Sequence, residues 1–527
     1  MAGRLRAASS QLQPLAQKVL AFLEPDPDKR EQWLQEPELA PVSRAPAVQA
    51  AAKRLKLAAS RKEKIIVAGD YDADGILGTA ILVDALRRQG IQAGFYIPDR
   101  IREGYGLKEK TVQMAHDKGY TLLVTVDNGV LAHEALQKAA DLGMDVIVTD
   151  HHQYEQEPQA GWFVHPAVME PVFATLCGAA VAYEIIRAAS WDTAYDLELA
   201  GLASVGDQMQ VTGETRALIA GAVSLLNTHP DPHIVNLAGP GPLNETDLSF
   251  QVIPKINALG RLSNLANANN AVRYFLSRDP VQIQSLAAGI CQVNDRRKDM
   301  SRQMVKEIAS RMNPADPVIF VEDPAWHEGI VGLAAGAISE QTGKPVIVAS
   351  RVPGGYKASM RGPEGTDCMQ LLKGFDRFTA LGGHARAAGM SFDLEDKAAL
   401  TDYLSGLKVP AAVRKPALTV KPEDLTVSAI RQLDVLRPFG TGFELPRMRL
   451  EDPDIVRTTE LSQGKHRKYL LSNGLEALRF NQPAQEHVLN PARIRALEGR
   501  PAVHVWMQAA TPQLIVSDLD TDTEKEN

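Results

Sequence analysis

Cysteine is scarce in this 527-residue chain: Cys177, Cys291 and Cys368 stand far apart, with no CxxC pair. That excludes a disulfide framework and a zinc ribbon and suits a reducing compartment, so the cytoplasm is the expected location. Long apolar runs are missing too. The longest, around Ile330–Ile338, is glycine-rich and falls short of the roughly 18 residues a membrane span needs, so no membrane partner is expected. Positive charge is not in excess. The net charge of −7 speaks against a nucleic-acid partner, although partner choice depends on where the charge sits. No acid precedes Glu24, and Arg4 and Arg6 lie in that stretch. A transit peptide has this composition, but Leu12, Leu15, Val19 and Leu23 are spaced for one face, and a surface helix is the reading adopted. The remaining composition is that of a globular protein.

What is present starts at residue 64. Lys64–Gly69, Ile91–Ile97, Thr121–Val126 and Asp145–Thr149 read as strands. The segments between them, Ile76–Gln89, Leu107–Lys118 and Ala132–Leu142, have helical spacing. This alternation predicts an α/β fold with a parallel, doubly wound sheet. Glu198–Leu226 reads as mainly helical and Pro230–Pro242 as a loop. A long polar helix starts at Asp279-Pro280 and stops at Asn313-Pro314. At 1.5 Å per residue it would reach about 50 Å, long enough to join two lobes. A second α/β pattern runs from Pro317 to about Leu404, Pro410–Pro416 is a linker, and the rest, with strands at Ala502–Met507 and Gln513–Val516, is β-rich. The expected division is 1–60, 61–265, 266–314, 315–408, 417–517 and an acidic tail 518–527. Two basic clusters, Lys53/Arg54/Lys56/Arg61/Lys62/Lys64 and Arg296/Arg297/Lys298, read most simply as solvated helix faces.

Chemistry enters with Asp70-Tyr71-Asp72-Ala73-Asp74-Gly75, directly after the first strand. Three alternating carboxylates repel one another unless a divalent cation sits among them. An EF-hand would need a Glu ligand at the end of a twelve-residue loop, and that region is an apolar helix around Leu82. Asp127 ends the third strand, and Asp150-His151-His152 ends the fourth. Doubly wound sheets bind ligands at the carboxyl ends of their strands, so these groups share one edge. Carboxylate and imidazole without thiolate favour Mg²⁺ or Mn²⁺. The acids and histidines exceed what one ion needs. Two ions sharing Asp127 would use them all and suit phosphate-ester hydrolysis.

GDYDADG, VDNG and DHH, in this order, resemble the first three motifs of the DHH phosphoesterase superfamily. The resemblance implies a fourth acid, and Asp207 in Ala203-Ser204-Val205-Gly206-Asp207 matches it. It further implies that Asp72, Asp74, Asp127, His151 and Asp207 are metal ligands, with Asp70 a ligand or a close neighbour. Asp127 and His152 would be catalytic, His152 contacting the scissile phosphate. Further strings are similar to the RecJ branch: Ile97-Pro98-Asp99-Arg100 with Glu103-Gly104-Tyr105-Gly106-Leu107, Pro254–Arg261, Asn294–Arg297, Trp326–Gly332, Leu381–Gly389 and Pro438–Gly442. Residues 61–265 would then be the DHH catalytic domain, 315–408 a DHHA1 domain and 417–517 an OB-like domain, with 266–314 the connecting helix. Arg100, Arg261, Ser359, Arg361, Gly382, Gly383 and His384 would hold the DNA and its terminal phosphate. The implied enzyme is a monomeric, two-metal 5′→3′ exonuclease of single-stranded DNA in repair and recombination, with single-strand-binding protein as a partner. Tyr469, Phe480 and Trp506 are the few aromatics its OB-like domain offers for stacking.

The chain departs from the family pattern in places. Ala68 stands where many superfamily members have a histidine, His165 where an asparagine precedes proline, and Phe443 where an asparagine is usual. Gln208 and Gln210 follow the fourth acid, and Gly362-Pro363-Glu364-Gly365 follows Arg361. None of these removes an implied ligand. Two other readings are a small-nucleotide or oligonucleotide phosphodiesterase of the DHH type and a non-catalytic replication scaffold. The long helix and C-terminal domain argue against the first, and the intact acids and histidines against the second.

Overall fold

The computed structural model describes residue 6 and residues 8–410, 412–481, 490–507 and 509–521. Two compact units emerge. One comprises Ala40–Asp207 and Ala222–Lys415; the other comprises Met1–Leu39, Gln208–Gly221 and Pro416–Asn527. The expected 1–60 segment is thus shared between both.

In the larger unit, β1 (Lys64–Gly69), β2 (Gln92–Tyr96), β3 (Leu122–Val126), β4 (Asp145–Thr149) and β5 (Trp162–Val164) form a five-stranded sheet. Its order is β2-β1-β3-β4-β5 and every pairing is parallel. Residues of β1 and β3 are buried almost throughout, as strands covered by helices on both faces must be. The order reverses between β1 and β3, and a sheet of this kind opens its crevice at that point.

A second sheet follows the helix Pro280–Arg311, whose first turn is capped by Asp279 accepting from the Val281 amide. It contains β6 (Ile319–Asp323), β7 (Val346–Val352), β8 (Gly355–Arg361), β9 (Phe378–His384) and β10 (Ala387–Asp393), in the order β6-β7-β8-β10-β9. Only β6 and β7 run parallel. The loop expected over Pro230–Pro242 contains the helix Pro232–Ala238. Asp231 caps it, accepting from the His233 and Ile234 amides, and Pro232 fits the first turn.

Arg54 is buried rather than solvated. It lies 2.7 Å from Glu63 and 2.8 Å from Asp145, so its charge is spent on the fold. Among the described residues no helix is long and apolar enough to cross a membrane.

The smaller unit carries a seven-stranded sheet. Its two longest strands, Ile494–Trp506 and Ala509–Thr521, pair as a hairpin. They run well past the short strands expected. The second continues beyond residue 518, because Leu519 lies across from Leu497 and Asp520 binds Arg449 at 2.5 Å. The rest of the expected acidic tail lies outside the described residues. The helix Pro14–Leu23 buries Leu15, Ala16, Val19 and Leu20, and Lys18 pairs with Asp424 at 2.6 Å. It is a surface helix with one face buried, as its spacing predicts: Pro14 and Gln17 on the other face are exposed. Trp33 stacks flat on Phe443 with ring centroids 3.8 Å apart, which gives Phe443 a packing role.

Candidate metal and phosphate site

Asp72 ends the turn after β1 and caps the helix Ala73–Arg88, its Oδ1 accepting from the Asp74 and Gly75 amides at 3.0 and 3.2 Å. Gly75 is forced by proximity: a Cβ there would stand 2.4 Å from the Asp70 nitrogen. Asp74 reaches the N-terminus of the helix Gly178–Ala189 and accepts from the Gly178 and Ala179 amides at 2.7 and 2.8 Å.

Asp127 adopts a left-handed backbone, with φ of 59°, a conformation that costs energy in a non-glycine residue. Its surroundings impose it. The Asp127 amide donates to Thr149 O at 3.1 Å, Tyr105 Oη donates to the Asp127 carbonyl at 3.0 Å, and Gly178 presses against its backbone.

His151 Nε2 then faces three carboxylates at once: Asp127 at 3.1 Å, Asp207 at 3.4 Å and Asp74 at 3.7 Å. Ligand atoms of Asp74, His151 and Asp207 come within 4.8 Å of one another, as do those of Asp70, Asp72 and Asp127, and those of Asp127, His151 and His152. Every expected metal ligand is therefore in the cluster. Burial, and then the neighbouring carboxylates, push Asp70 and Asp127 well above the usual carboxylate range and raise Asp72. Asp207 rises to about 8 for the same reasons. Asp70 Oδ1 is buried without a hydrogen-bond partner. Crowded acids and an orphaned oxygen are what a cation site shows when only the protein's charges are counted. The donor set fits hard divalent ions.

Sequence reasoning placed Asp150 at the strand ends but gave it no role of its own, although it opens the DHH string. Asp150 Oδ1 accepts from the His151 and His152 amides at 2.8 and 3.2 Å and lies 2.8 Å from His152 Nδ1, while Oδ2 accepts from the Val130 amide at 3.0 Å. Burial opposes charge on His152, but the Asp150 carboxylate outweighs it and lifts the imidazole to about 9. Burial works against Asp150 as well, yet His152 and the Val130 amide keep it below its ordinary value. Tyr105 Oη also sits 3.2 Å from His152 Nδ1. Burial and the surrounding acids raise its phenol far above the ordinary range, so it stays a donor.

A second feature adjoins the cluster. Tyr71, Arg100, Arg261, Lys357, Ser359 and Arg361 line a cavity of about 250 Å³. Arg361 Nη1 donates to Ser359 Oγ at 2.7 Å, and Arg100 lies over the Tyr71 ring at 4.9 Å. Lys357 is paired with Glu328 at 2.7 Å. Burial and then Arg100, Arg361 and Arg297 push Arg261 down to about 10. So dense a set of guanidinium groups calls for an anion. Gly382, Gly383 and His384 do not line this cavity. They occupy exposed edge strand β9, where Gly383 has φ of 141° and a Cβ would strike Ala387 O. Hairpin geometry accounts for that glycine.

Three stretches match known domains: the DHH family, N-terminal domain over residues 64–206, the DHHA1 domain over 315–407 and the RecJ OB domain over 417–518. The single-stranded-DNA-specific exonuclease RecJ of Thermus thermophilus is 31% identical over 514 residues, covering 92% of this chain and 74% of that protein. This chain belongs to the RecJ family. The RecJ of Bacillus subtilis is 30% identical over 496 residues, 89% of this chain and 62% of that protein, so the chain spans under two thirds of that relative. The fold agrees with the crystal structure of Thermus thermophilus RecJ in complex with Mn²⁺, at a TM-score of 0.84 and 25% identity, over 99% of this chain and 78% of that one.

Proposed function

We propose that this RecJ-family chain is a metal-dependent exonuclease that hydrolyses phosphodiester bonds of single-stranded DNA in the 5′→3′ direction, releasing mononucleotides, in DNA repair and recombination. One observation carries the reading. Tyr71 lines the cationic cavity while its chain neighbours, Asp70 and Asp72, belong to the acid cluster. A strand whose terminal phosphate occupied the cavity would present an adjacent phosphodiester to the cluster.

Asp70, Asp72 and Asp127 would hold one divalent ion, and Asp74, His151 and Asp207 a second, with Asp127 reaching both. Mn²⁺ or Mg²⁺ bound there would neutralise phosphoryl charge and lower the pKa of a water. The protein's own groups do the rest. Arg100, Arg261, Ser359 and Arg361 bind the terminal phosphate. His152, its Nδ1 fixed by Asp150, turns Nε2 to a phosphoryl oxygen. In the OB domain Tyr469 is fully buried and cannot stack, whereas Phe480 and Trp506 are exposed and can. We take residues 61–265 as the catalytic domain and 315–408 and 417–517 as the second lobe and OB domain. The enzyme acts as a monomer and meets single-strand-binding protein on its substrate.

The test is a digest of 5′- and 3′-labelled single- and double-stranded DNA with Mn²⁺ or Mg²⁺. Mononucleotides should leave the 5′ end of single strands only, and Asp127→Ala should abolish release. Cleavage that survives this change refutes the site. Rapid hydrolysis of short dinucleotides beside intact long DNA refutes the substrate.

A further inference from the structure

His165 plays no part in the chemistry above, yet it is bonded to the main chain of His152. It follows β5 and is only 7% exposed. Its ring stacks on Phe163 at 5.6 Å between centroids and meets the edge of Tyr154 at 5.0 Å. Both ring nitrogens are engaged. The Ala167 amide donates to Nδ1 at 3.0 Å, so Nδ1 carries the lone pair and the ring hydrogen is on Nε2. Nε2 lies 3.0 Å from the carbonyl oxygen of His152 and donates to it. One tautomer satisfies both partners, and the aromatic clamp leaves the ring little freedom to turn.

The consequence falls on His152. Its imidazole is fixed at Nδ1 by Asp150 and flanked by Tyr105, and its amide also donates to Asp150 Oδ1 at 3.2 Å, but these bonds leave the peptide plane that carries its carbonyl unheld. The bond from His165 Nε2 to that carbonyl holds this second plane. We propose that His165 is a positioning residue for His152: by gripping its main-chain carbonyl, His165 fixes the direction in which the His152 imidazole meets the reacting phosphate. This rests on the exonuclease reading given above.

Two substitutions separate this role from packing. Asparagine has an oxygen to accept from Ala167 and an amide to donate to His152, whereas leucine fills space and offers neither. His165→Leu should lower kcat about 10- to 100-fold, the loss that follows when a supporting hydrogen bond in a metal site is removed. KM and the half-saturating Mn²⁺ concentration should stay within about twofold, and His165→Asn should recover most of the loss. Rates are taken per folded protein, and His165→Met replaces the leucine variant if that one does not fold. A kcat within twofold of the parent for the variants lacking the bond, or an asparagine variant as slow as leucine, overturns the proposal. Long-range proton–nitrogen spectra of histidine-labelled protein supply a reading independent of turnover. They should show His165 protonated on Nε2, and the His152 signals should move in His165→Leu and return in His165→Asn. His152 signals unchanged in His165→Leu overturn the proposal even where substrate is cleaved. Conversely, shifted signals in a protein that cleaves no DNA refute the exonuclease reading alone.

Discussion

Glu198 offers a prediction that does not depend on the catalytic reading. It lies on the helix Ala194–Gly206, is 6% exposed, and its Oε2 has no hydrogen-bond partner among the described residues. Burial first, and then the charge of Asp231, push its carboxyl from an ordinary 4.5 up to about 8. Below pH 4.5 the folded and unfolded chains both keep the proton, and the group has no effect on stability. Between 4.5 and 8 only the folded chain keeps it, so stability falls as pH rises through that window and is level again above it. At about 1.4 kcal/mol per pH unit the whole window corresponds to roughly 5 kcal/mol, and relaxation and water penetration around the ionised carboxylate reduce this to about 2 kcal/mol. Glu198→Gln keeps the shape and removes the charge. It should match the parent near pH 5 and exceed it by about 2 kcal/mol at pH 8.5, a rise of roughly 2–4 °C in unfolding temperature. Circular dichroism melts of both proteins across pH 5–9 measure the difference. Parallel curves with a constant offset would show that the carboxyl titrates as it does in water, and the argument fails.

Other outcomes can be checked alongside. Arg361→Ala removes a guanidinium from the anion cavity and should raise KM for 5′-phosphorylated strands about 10- to 100-fold, with a much smaller effect on 5′-hydroxyl ends; equal effects on both would place the phosphate elsewhere. Gly178→Ala forces a methyl to within 2.6 Å of Asp127 Cβ and should weaken Mn²⁺ binding about tenfold or more by calorimetry while the far-ultraviolet spectrum is retained. Arg54→Met leaves Glu63, 12% exposed at its side chain, with only the more distant Arg61 at 3.9 Å and the Thr121 hydroxyl at 3.2 Å, and should cost about 2–4 kcal/mol in denaturant unfolding.

Most of the metal cluster was legible from the sequence because Asp70, Asp72, Asp74, Asp127 and His151 sit just after strands, and a parallel sheet aligns those ends; Asp207, which ends the helix Ala194–Gly206, was reached only through the family resemblance. The first sheet was legible because Ile65–Ala68 and Leu122–Val124 form short continuous apolar runs between segments of helical spacing. The groups that orient these ligands were not legible. Asp150 carries the same side chain as the presumed ligands, and only its bonds to the Val130 and His152 amides distinguish it. Tyr105 lies 22 residues from Asp127 along the chain, and no periodicity connects them. Arg54 read as part of a solvated face because Asp145, 91 residues away, could not be foreseen as its partner. The helix Pro232–Ala238 was masked by flanking prolines and glycines, although its Asp-Pro start is a capping signal.

The smaller unit joins pieces from opposite ends of the chain. Leu15, Val19 and Leu20 are buried in a body whose sheet begins only at Leu418. Synthesis at about 5–20 residues per second puts roughly 20–80 s between the emergence of that helix and of its partner strands. For that interval the ribosome displays a greasy, unfinished surface while the metal-binding lobe is already able to fold. This domain is consequently the last to close, and a nascent chain arrested before residue 418 should be the species most in need of a chaperone.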